Sequence, residues 1–348
     1  MAEFPSHPDG VTPAWLSERL GRRIDTVAWQ PIGTGQVGDS VRFTISGEGG
    51  EATLAGKFSA ADATSRATAA MFGLYAKEVA FYREVAAGLT VRNPRVYFAE
   101  IDSAGEDFIL LFEDLGPARQ GDQIANCSLD DAREAIRQAA ALHASSWGRA
   151  EILEAEWLQP PADLGQRVGA MYPQAQAVWR ERYADRLEPE FMALCEEFAE
   201  ASALWFGRDA PRTCLVHGDF RLDNMLFDIA GGAEPIAVLD WQTVALGHGM
   251  TDVGYFLGCG IGVLGLRHED ELLALYLAQM EAGGVALTRE NVESDYRLGI
   301  LHGLSTAVFS AAFVERTPRG DENFLSMARG ACALALQNDS LACLKETA

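Results

Sequence analysis

The stretch that most restricts the fold of this 348-residue chain is GTGQVG at 33–38. Glycines at this spacing suit two architectures. In one, the loop opens a helix that carries a dinucleotide. In the other, it is the tip of a hairpin whose backbone N–H groups fold over phosphates. The first requires a helix directly after the glycines. Here Val41, Phe43 and Ile45 alternate with Arg42, Thr44 and Ser46, the period of a half-buried strand. The sequence therefore favours the hairpin and argues against a nicotinamide-binding oxidoreductase.

From that hairpin the pattern runs on. GEGG at 47–50 turns the chain, and 51–58 returns as a second strand. Residues 64–87 read as one helix, with Met71, Leu74, Tyr75, Glu78, Phe81, Tyr82 and Val85 near helical spacing. Two strands follow, 96–101 and 107–112, around a turn at 103–106. With an earlier strand from Val27, the order is three strands, a helix and two strands, closing near Gly116-Pro117. Residues 1–12 are expected to form a loose arm. Beyond lies mostly helix. Ser128, with Asp131 three residues on, starts one that runs to Trp147. Residues 151–205 carry helical patterning with Trp157, Tyr172, Trp179, Tyr183 and Phe191. The expected class is α+β and two-lobed. Residues 1–115 make a small antiparallel-sheet lobe with one helix, and 116–348 a larger, mainly helical lobe.

Composition removes several function classes. A net charge of −22 argues against nucleic acid and anionic membrane surfaces as partners. It fits a cationic small molecule, but the commoner explanation is simply an acidic soluble enzyme. The opening MAEFPSHPDG has neither a basic nor an apolar segment, and the longest apolar run, 253–266, is too short to span a bilayer. A cytoplasmic protein, monomer or homodimer, is expected. The six cysteines show no CxxC pair or metal-like spacing, so buried free thiols are expected. Of 28 basic residues, only Lys57, Lys77 and Lys345 are lysines. In so arginine-rich a chain, a lysine marks a place where a compact point charge serves and a planar fork does not.

Four elements carry chemistry together. The glycines Gly33, Gly35 and Gly38 offer backbone N–H groups to phosphates. Lys57, in AGKF at the end of the return strand, supplies a compact cation for them, and Glu78 on the following helix a carboxylate to hold that cation. HGDFRLDN at 217–224 places a carboxylate, Asp219, where an acceptor hydroxyl could lose its proton. Arg221 could neutralise charge on a transferred phosphoryl, and Asn224 could offer its carbonyl oxygen to magnesium. VLDWQ sets Asp240 just past an apolar strand, 16 residues beyond Asn224, able to share that metal. Asp252, in TDVGYFL, reads as structural, accepting backbone N–H groups and bracing the loop. His217 reads as a hydrogen-bonder of the same loop, and His143 as a packing residue. His248 and His302 could line a substrate pocket.

In this order and these roles the sequence resembles the aminoglycoside phosphotransferase and choline kinase superfamily, above all its ecdysteroid-kinase-like (CHK kinase-like) branch. LLFEDLG at 110–116 resembles the inter-lobe hinge, where backbone groups near Glu113 to Leu115 would meet adenine. ALHASSWG at 141–148 and ERTPRGDENFLSMARG at 315–330 resemble further segments of that branch. The resemblance implies an ATP- and Mg2+-dependent phosphotransferase acting on a small-molecule alcohol. Asp219 would be its base, Asn224 and Asp240 its magnesium ligands, and Lys57 its phosphate holder. HGD stands where protein kinases have HRD, DWQ where they have DFG, and no APE-like segment follows, which points to a small-molecule acceptor. Aminoglycosides, choline-like amines and sterol-like alcohols all remain open as acceptors. The alternative from another class is a nucleotide-binding pseudokinase or regulatory binding protein. Its mark would be loss of the lysine, base or metal ligands, and each is present.

Overall fold

Residues 4–33 and 38–347 are described by the computed structural model, and their contacts divide the chain into two units. The first comprises Met1–Ala118 together with Asp228–Val244, and the second Arg119–Phe227 together with Ala245–Ala348.

The first unit is built on a five-stranded antiparallel sheet. Its strands are β1 (Ile24–Pro31), β2 (Gly38–Gly47), β3 (Gly50–Ser59), β4 (Val96–Ile101) and β5 (Phe108–Glu113), in the spatial order β1-β2-β3-β5-β4. GEGG does turn the β2–β3 hairpin, with Gly47 opposite Gly50. Leu54 and Phe58 on β3 point into one core with Val41, Phe43, Ile45, Ile109 and Leu111. The N-terminal arm is not loose. Phe4 and Val11 are buried in that core, beside Leu16 of helix α1 (Pro13–Leu20), because the sheet's apolar face needs a cover.

The single helix expected over 64–87 is broken. Helix α2 (Ala63–Met71) stops, and helix α3 (Leu74–Ala80) starts afresh after Gly73, whose φ of 64° lies in the left-handed region that ends helices. A wider helical turn, Phe81–Val85, follows. Against the sheet's second face, Tyr75 of α3 lies 4.5 Å from Phe108, and Tyr82 lies 4.8 Å from Phe112, ring to ring. The segment Asp228–Val244 belongs here by its packing. Trp241 stacks on Phe81 at 4.1 Å, and Arg92 grips Glu234 at 2.7 and 3.0 Å.

The second unit is mainly helical. Ser128 caps the Leu129–Ser146 helix by accepting the Asp131 N–H, as its sequence signature implies. Tyr172, Trp179 and Tyr183, spaced by seven and four residues, form the inner face of the Leu164–Tyr183 helix and are almost wholly buried. They are therefore core. The Met250–Cys259 and Arg289–Phe313 helices cross at backbone contact. A Cβ on Gly299 would come within 2.1 Å of the Met250 carbonyl oxygen. The second unit also pairs the short strands Cys214–Val216 and Ala245–Gly247. Every cysteine is free, and all are buried except the half-buried Cys127. Among the described residues no helix is long and apolar enough to cross a membrane.

Candidate functional site

The named residues fall into two clusters, one inside each unit. In the first, strand alternation places Lys57 on the face of β3 opposite Leu54 and Phe58, toward α3. Its ammonium donates to both Glu78 oxygens, at 2.9 and 2.7 Å, and to Asp240 Oδ1 at 2.8 Å. Glu78 is 1% exposed. Asp240 has φ 64° and ψ 68°, left-handed backbone that a non-glycine adopts at roughly 1–3 kcal/mol. The stacked Trp241 next to it helps hold that conformation. Gly38, opposite Ser59 in the hairpin, leaves no room for a side chain. A Cβ there would meet the Phe58 carbonyl at 2.9 Å and Lys57 Cε at 3.3 Å. Gly33 has a left-handed φ of 77°, and Gly35 lies outside the described residues.

Burial works against the Lys57 ammonium, but Asp240 and Glu78 outweigh it and raise its pKa. Glu78 is pushed up to about 7, first by burial and further by the Asp240 charge, with Lys57 opposing. One cation shared by two carboxylates leaves the cluster with an excess of negative charge when both are ionised. In the LLFEDLG segment, the Glu113 carboxylate accepts from Arg92 and from the Arg95 N–H, and the Glu113 N–H donates to the Arg95 carbonyl. The Leu115 carbonyl accepts from the Ala230 N–H at 2.9 Å.

In the second unit the loop after Cys214–Val216 is tied down by Asp252. This buried carboxylate accepts the His217 N–H at 2.6 Å and the Gly218 N–H at 3.0 Å, the bracing role read from the sequence. His143 does more than pack. Its Nε2 donates to Asp252 at 3.1 Å, and its Nδ1 meets the Tyr276 hydroxyl at 2.9 Å. His217 Nδ1 accepts the Asp219 N–H at 3.2 Å.

Asp219 is surrounded by donors. Arg221 Nε lies 3.0 and 3.1 Å from its two oxygens, Tyr255 donates to Oδ1 at 2.8 Å, and Asn224 Nδ2 donates to Oδ2 at 2.8 Å. Arg221 Nη1 also holds Asp223 at 2.9 Å. Burial would raise the Asp219 pKa, but the Arg221 charge, the Tyr255 hydroxyl and His217 outweigh it, so the carboxyl sits below its usual range. Burial, and then the Asp219 charge, push the Tyr255 phenol well up, so it remains a donor. The guanidinium of Arg221 is thus turned onto carboxylates, where it sets the charge and orientation of Asp219.

The donor set fits magnesium at Asn224. Its amide nitrogen is committed to Asp219, at the carbonyl oxygen (2.9 Å) and at Oδ2, which leaves the amide oxygen as the end available to a cation. Among the described residues no three His, Cys, Asp or Glu side chains gather as a ready-made metal site. Magnesium bound through one or two protein oxygens plus substrate phosphates needs none. Two residues outside the 217–224 motif reach its loop. Tyr255 was visible only as part of TDVGYFL. His302 was a pocket candidate, and its Nε2 donates to the Gly218 carbonyl at 2.8 Å.

Comparison with known proteins bears on family and fold. The chain matches the phosphotransferase enzyme family over residues 30–290. Its fold is similar to a GDP complex of aminoglycoside 2'-phosphotransferase-IIIa, with TM-score 0.52 and 13% identity over 88% of this chain and 93% of that one. It is also similar to choline kinase from Cryptosporidium parvum (0.51, 14%, 94% and 92%) and Plasmodium vivax ethanolamine kinase (0.51, 11%, 90% and 85%). At such identities the likeness is one of fold. Among curated proteins, acyl-CoA dehydrogenase family member 11 of Gallus gallus is 26% identical over 49% of the chain, and family member 10 of Mus musculus 38% identical over 25%. These matches span only 21% and 8% of those proteins' own lengths. By its sequence across three quarters of its length, and with the two-lobed kinase-like fold to match, the chain belongs to the phosphotransferase enzyme family.

Proposed function

We propose that the protein transfers the γ-phosphoryl group of ATP to a hydroxyl of a small molecule, with magnesium. The observation that carries this is the Lys57 ammonium, buried between Glu78 and Asp240. A cation held by two carboxylates on strand, helix and loop is an arrangement suited to phosphates and a metal. On this view Lys57 and the N–H groups of the 33–38 loop hold phosphate oxygens. Adenine meets the hinge near Glu113 and Leu115, with the Leu115 N–H as first candidate because the Leu115 carbonyl already has a partner. Asn224 and Asp240 hold magnesium, which when bound would neutralise phosphate charge.

The acceptor oxygen forms a bond to the γ-phosphorus, the bridging P–O bond breaks with its electrons leaving on ADP, and the hydroxyl proton passes to Asp219. Asp219 is ionised at neutral pH and fixed by three side-chain donors, so it can orient the hydroxyl before accepting its proton. LLFEDLG, ALHASSWG and the 315–330 segment support membership of the CHK kinase-like branch. A cytoplasmic monomer or homodimer belongs to the same proposal, and the acidic charge supports the absence of nucleic-acid and anionic-membrane partners.

Calorimetry of ATP and GTP, each with and without Mg2+, tests the nucleotide half. Binding of ATP strengthened by Mg2+ is expected, and no binding in any condition would overturn the proposal. Release of ADP over a panel of aminoglycosides, amino alcohols, sterols, simple alcohols and hydroxyacyl-CoA thioesters identifies the acceptor. The thioesters are included because curated relatives are named as acyl-CoA dehydrogenase family members. Nucleotide binding with no turnover on any acceptor is what the pseudokinase alternative expects.

A further inference from the structure

Among the described residues Arg208 of the second unit is held by a ring and a carbonyl and by no carboxylate, as Arg182 and Arg297 are held by carbonyls alone. Arg208 follows the Pro189–Gly207 helix, and its guanidinium carbon lies over the Trp205 ring, 4.1 Å from the centroid, with Nη1 donating to the Trp205 carbonyl. Its surroundings are desolvated enough that burial lowers its pKa to about 10, a shift the more distant Asp295 opposes. Among the described residues no carboxylate comes within ion-pair distance of it. Arg221, similarly enclosed, holds both Asp219 and Asp223, and Arg316 and Arg329 each grip a carboxylate at 3.0 Å. The guanidinium is half-buried, and the part of it withdrawn from water has no counter-ion although the chain carries 50 carboxylates that could supply one.

Its position connects it to the Asp219 loop. The Trp205 ring stacks at 6.1 Å on His302, whose Nε2 donates to the carbonyl of Gly218, the residue before Asp219. The His302 ring in turn meets Tyr255 edge-on at 5.3 Å, and Tyr255 donates to Asp219. Arg208 is thus separated from the proposed acceptor end of the reaction by two aromatic rings. Burial, with Arg208 contributing, keeps the His302 pKa low, so His302 adds no competing positive charge at neutral pH. With Nη1 on the helix end, Nε and Nη2 form the free edge of the fork, the edge that takes a carboxylate or phosphate with two parallel bonds.

We propose that Arg208 binds an anionic group, a carboxylate or a phosphate ester, on the acceptor alcohol while the hydroxyl is presented to Asp219. This deepens the phosphotransferase proposal and rests on it. It also sets the acceptor class against what net charge alone would suggest, since aminoglycosides and choline are cations.

The test compares the full chain with Arg208→Gln and Arg208→Lys on matched acceptors: hydroxyalkanoates, hydroxyalkyl phosphates, neutral diols of the same length and amino alcohols. In the wild type an anionic acceptor should have the highest kcat/KM, and the carboxylate and phosphate arms show which group is used. Arg208→Gln should raise KM for that acceptor by about 10- to 100-fold, the worth of a charged hydrogen-bonded pair, with Mg2+–ATP affinity retained. Arg208→Lys should recover part of the loss. Preference for an amino alcohol or a neutral diol would overturn the proposal. So would equal loss on every acceptor together with a lower Tm, because that marks a helix-end brace. If no acceptor is phosphorylated, calorimetry with a hydroxyalkanoate and with inorganic phosphate still decides. Anion binding lost in Arg208→Gln upholds the site while the phosphotransferase proposal falls, and no anion binding to the wild type sinks the site itself.

Discussion

The Lys57 and Asp219 clusters solve the same electrostatic problem with different hardware. Each sets one cation between two carboxylates: Lys57 between Glu78 and Asp240, Arg221 between Asp219 and Asp223. Lysine is a point charge on a flexible stem, so its ammonium can turn from a carboxylate to an arriving phosphate without losing donors. Arginine is a rigid fork, and two faces of it are fixed at once. Tyr255 and Asn224 add two more donors to Asp219. The first cluster is therefore built to exchange partners, and the second to keep one carboxylate in one place.

The sharpest way to break this contrast is Asp219→Asn. It keeps shape and removes the charge that accepts the proton, so turnover should fall by about 10²- to 10⁴-fold while Mg2+–ATP affinity measured by calorimetry stays near wild type. A comparable loss of nucleotide affinity would mean that the two clusters do not divide the work. Next comes Lys57→Arg, which retains charge but replaces the swivelling donor. We expect turnover to drop by roughly 10²-fold, and a mutant of near-normal rate would show that exchange at this position does not matter. Asp240→Asn should weaken metal-dependent nucleotide binding by about tenfold and leave metal-free binding little changed, a difference read directly by titration with and without Mg2+.

Tyr255→Phe sharpens the other side. Loss of one donor to a carboxylate that keeps two others should lower kcat by several-fold, on the order of 1 kcal/mol, with KM for ATP unaltered. A rise in KM for ATP instead would place Tyr255 in the wrong half. The smallest effect concerns pH. Glu78 has a pKa raised to about 7, above the ordinary 4.5, so between those values the folded state binds more proton than the unfolded chain. Its contribution to stability is therefore present at low pH and is lost as pH rises toward 7. Thermal melts of the nucleotide-free protein should show Glu78→Gln with a flatter Tm–pH curve than the wild type across that window, by about a few degrees. Parallel curves would remove Glu78 as the titrating group.

What the sequence made legible was local. Gly38, Lys57, Asp219, Asn224 and Asp240 stand in short motifs that single them out, though the contact of Lys57 with Asp240, 183 residues on, is in no local pattern, and the alternation around Phe43 and Phe58 set the hairpin. The break at Gly73 was missed because one glycine inside a long periodic run lowers helical preference only slightly; its left-handed φ is visible only in three dimensions. Tyr172, Trp179 and Tyr183 carried their own answer in spacings of seven and four, the mark of a packed helix face. Tyr255 reaches Asp219 across 36 residues and His302 reaches Gly218 across 84, contacts that no local pattern encodes. The expected boundary at 115 treated the chain as two consecutive blocks, whereas the packing of Trp241 on Phe81 associates Asp228–Val244 with the first unit.

That association bears on how the protein is made. The polypeptide leaves its first unit after Ala118, returns at Asp228 and leaves again after Val244. Lys57 and Asp240 are 183 residues apart, so a ribosome releasing the N-terminal segment exposes the β-sheet long before its last piece emerges. Until then Phe81 lacks the indole that stacks on it, and Arg92 lacks Glu234. Such long-range closure is slow compared with the helical contacts of the second unit, since chain entropy must be overcome before any contact rewards it. The unit that holds Lys57, although its sheet precedes the second unit in the chain, should thus be the last to reach its native form, and folding of the intervening 109 residues, Arg119–Phe227, becomes the step that delivers Asp240 to Lys57.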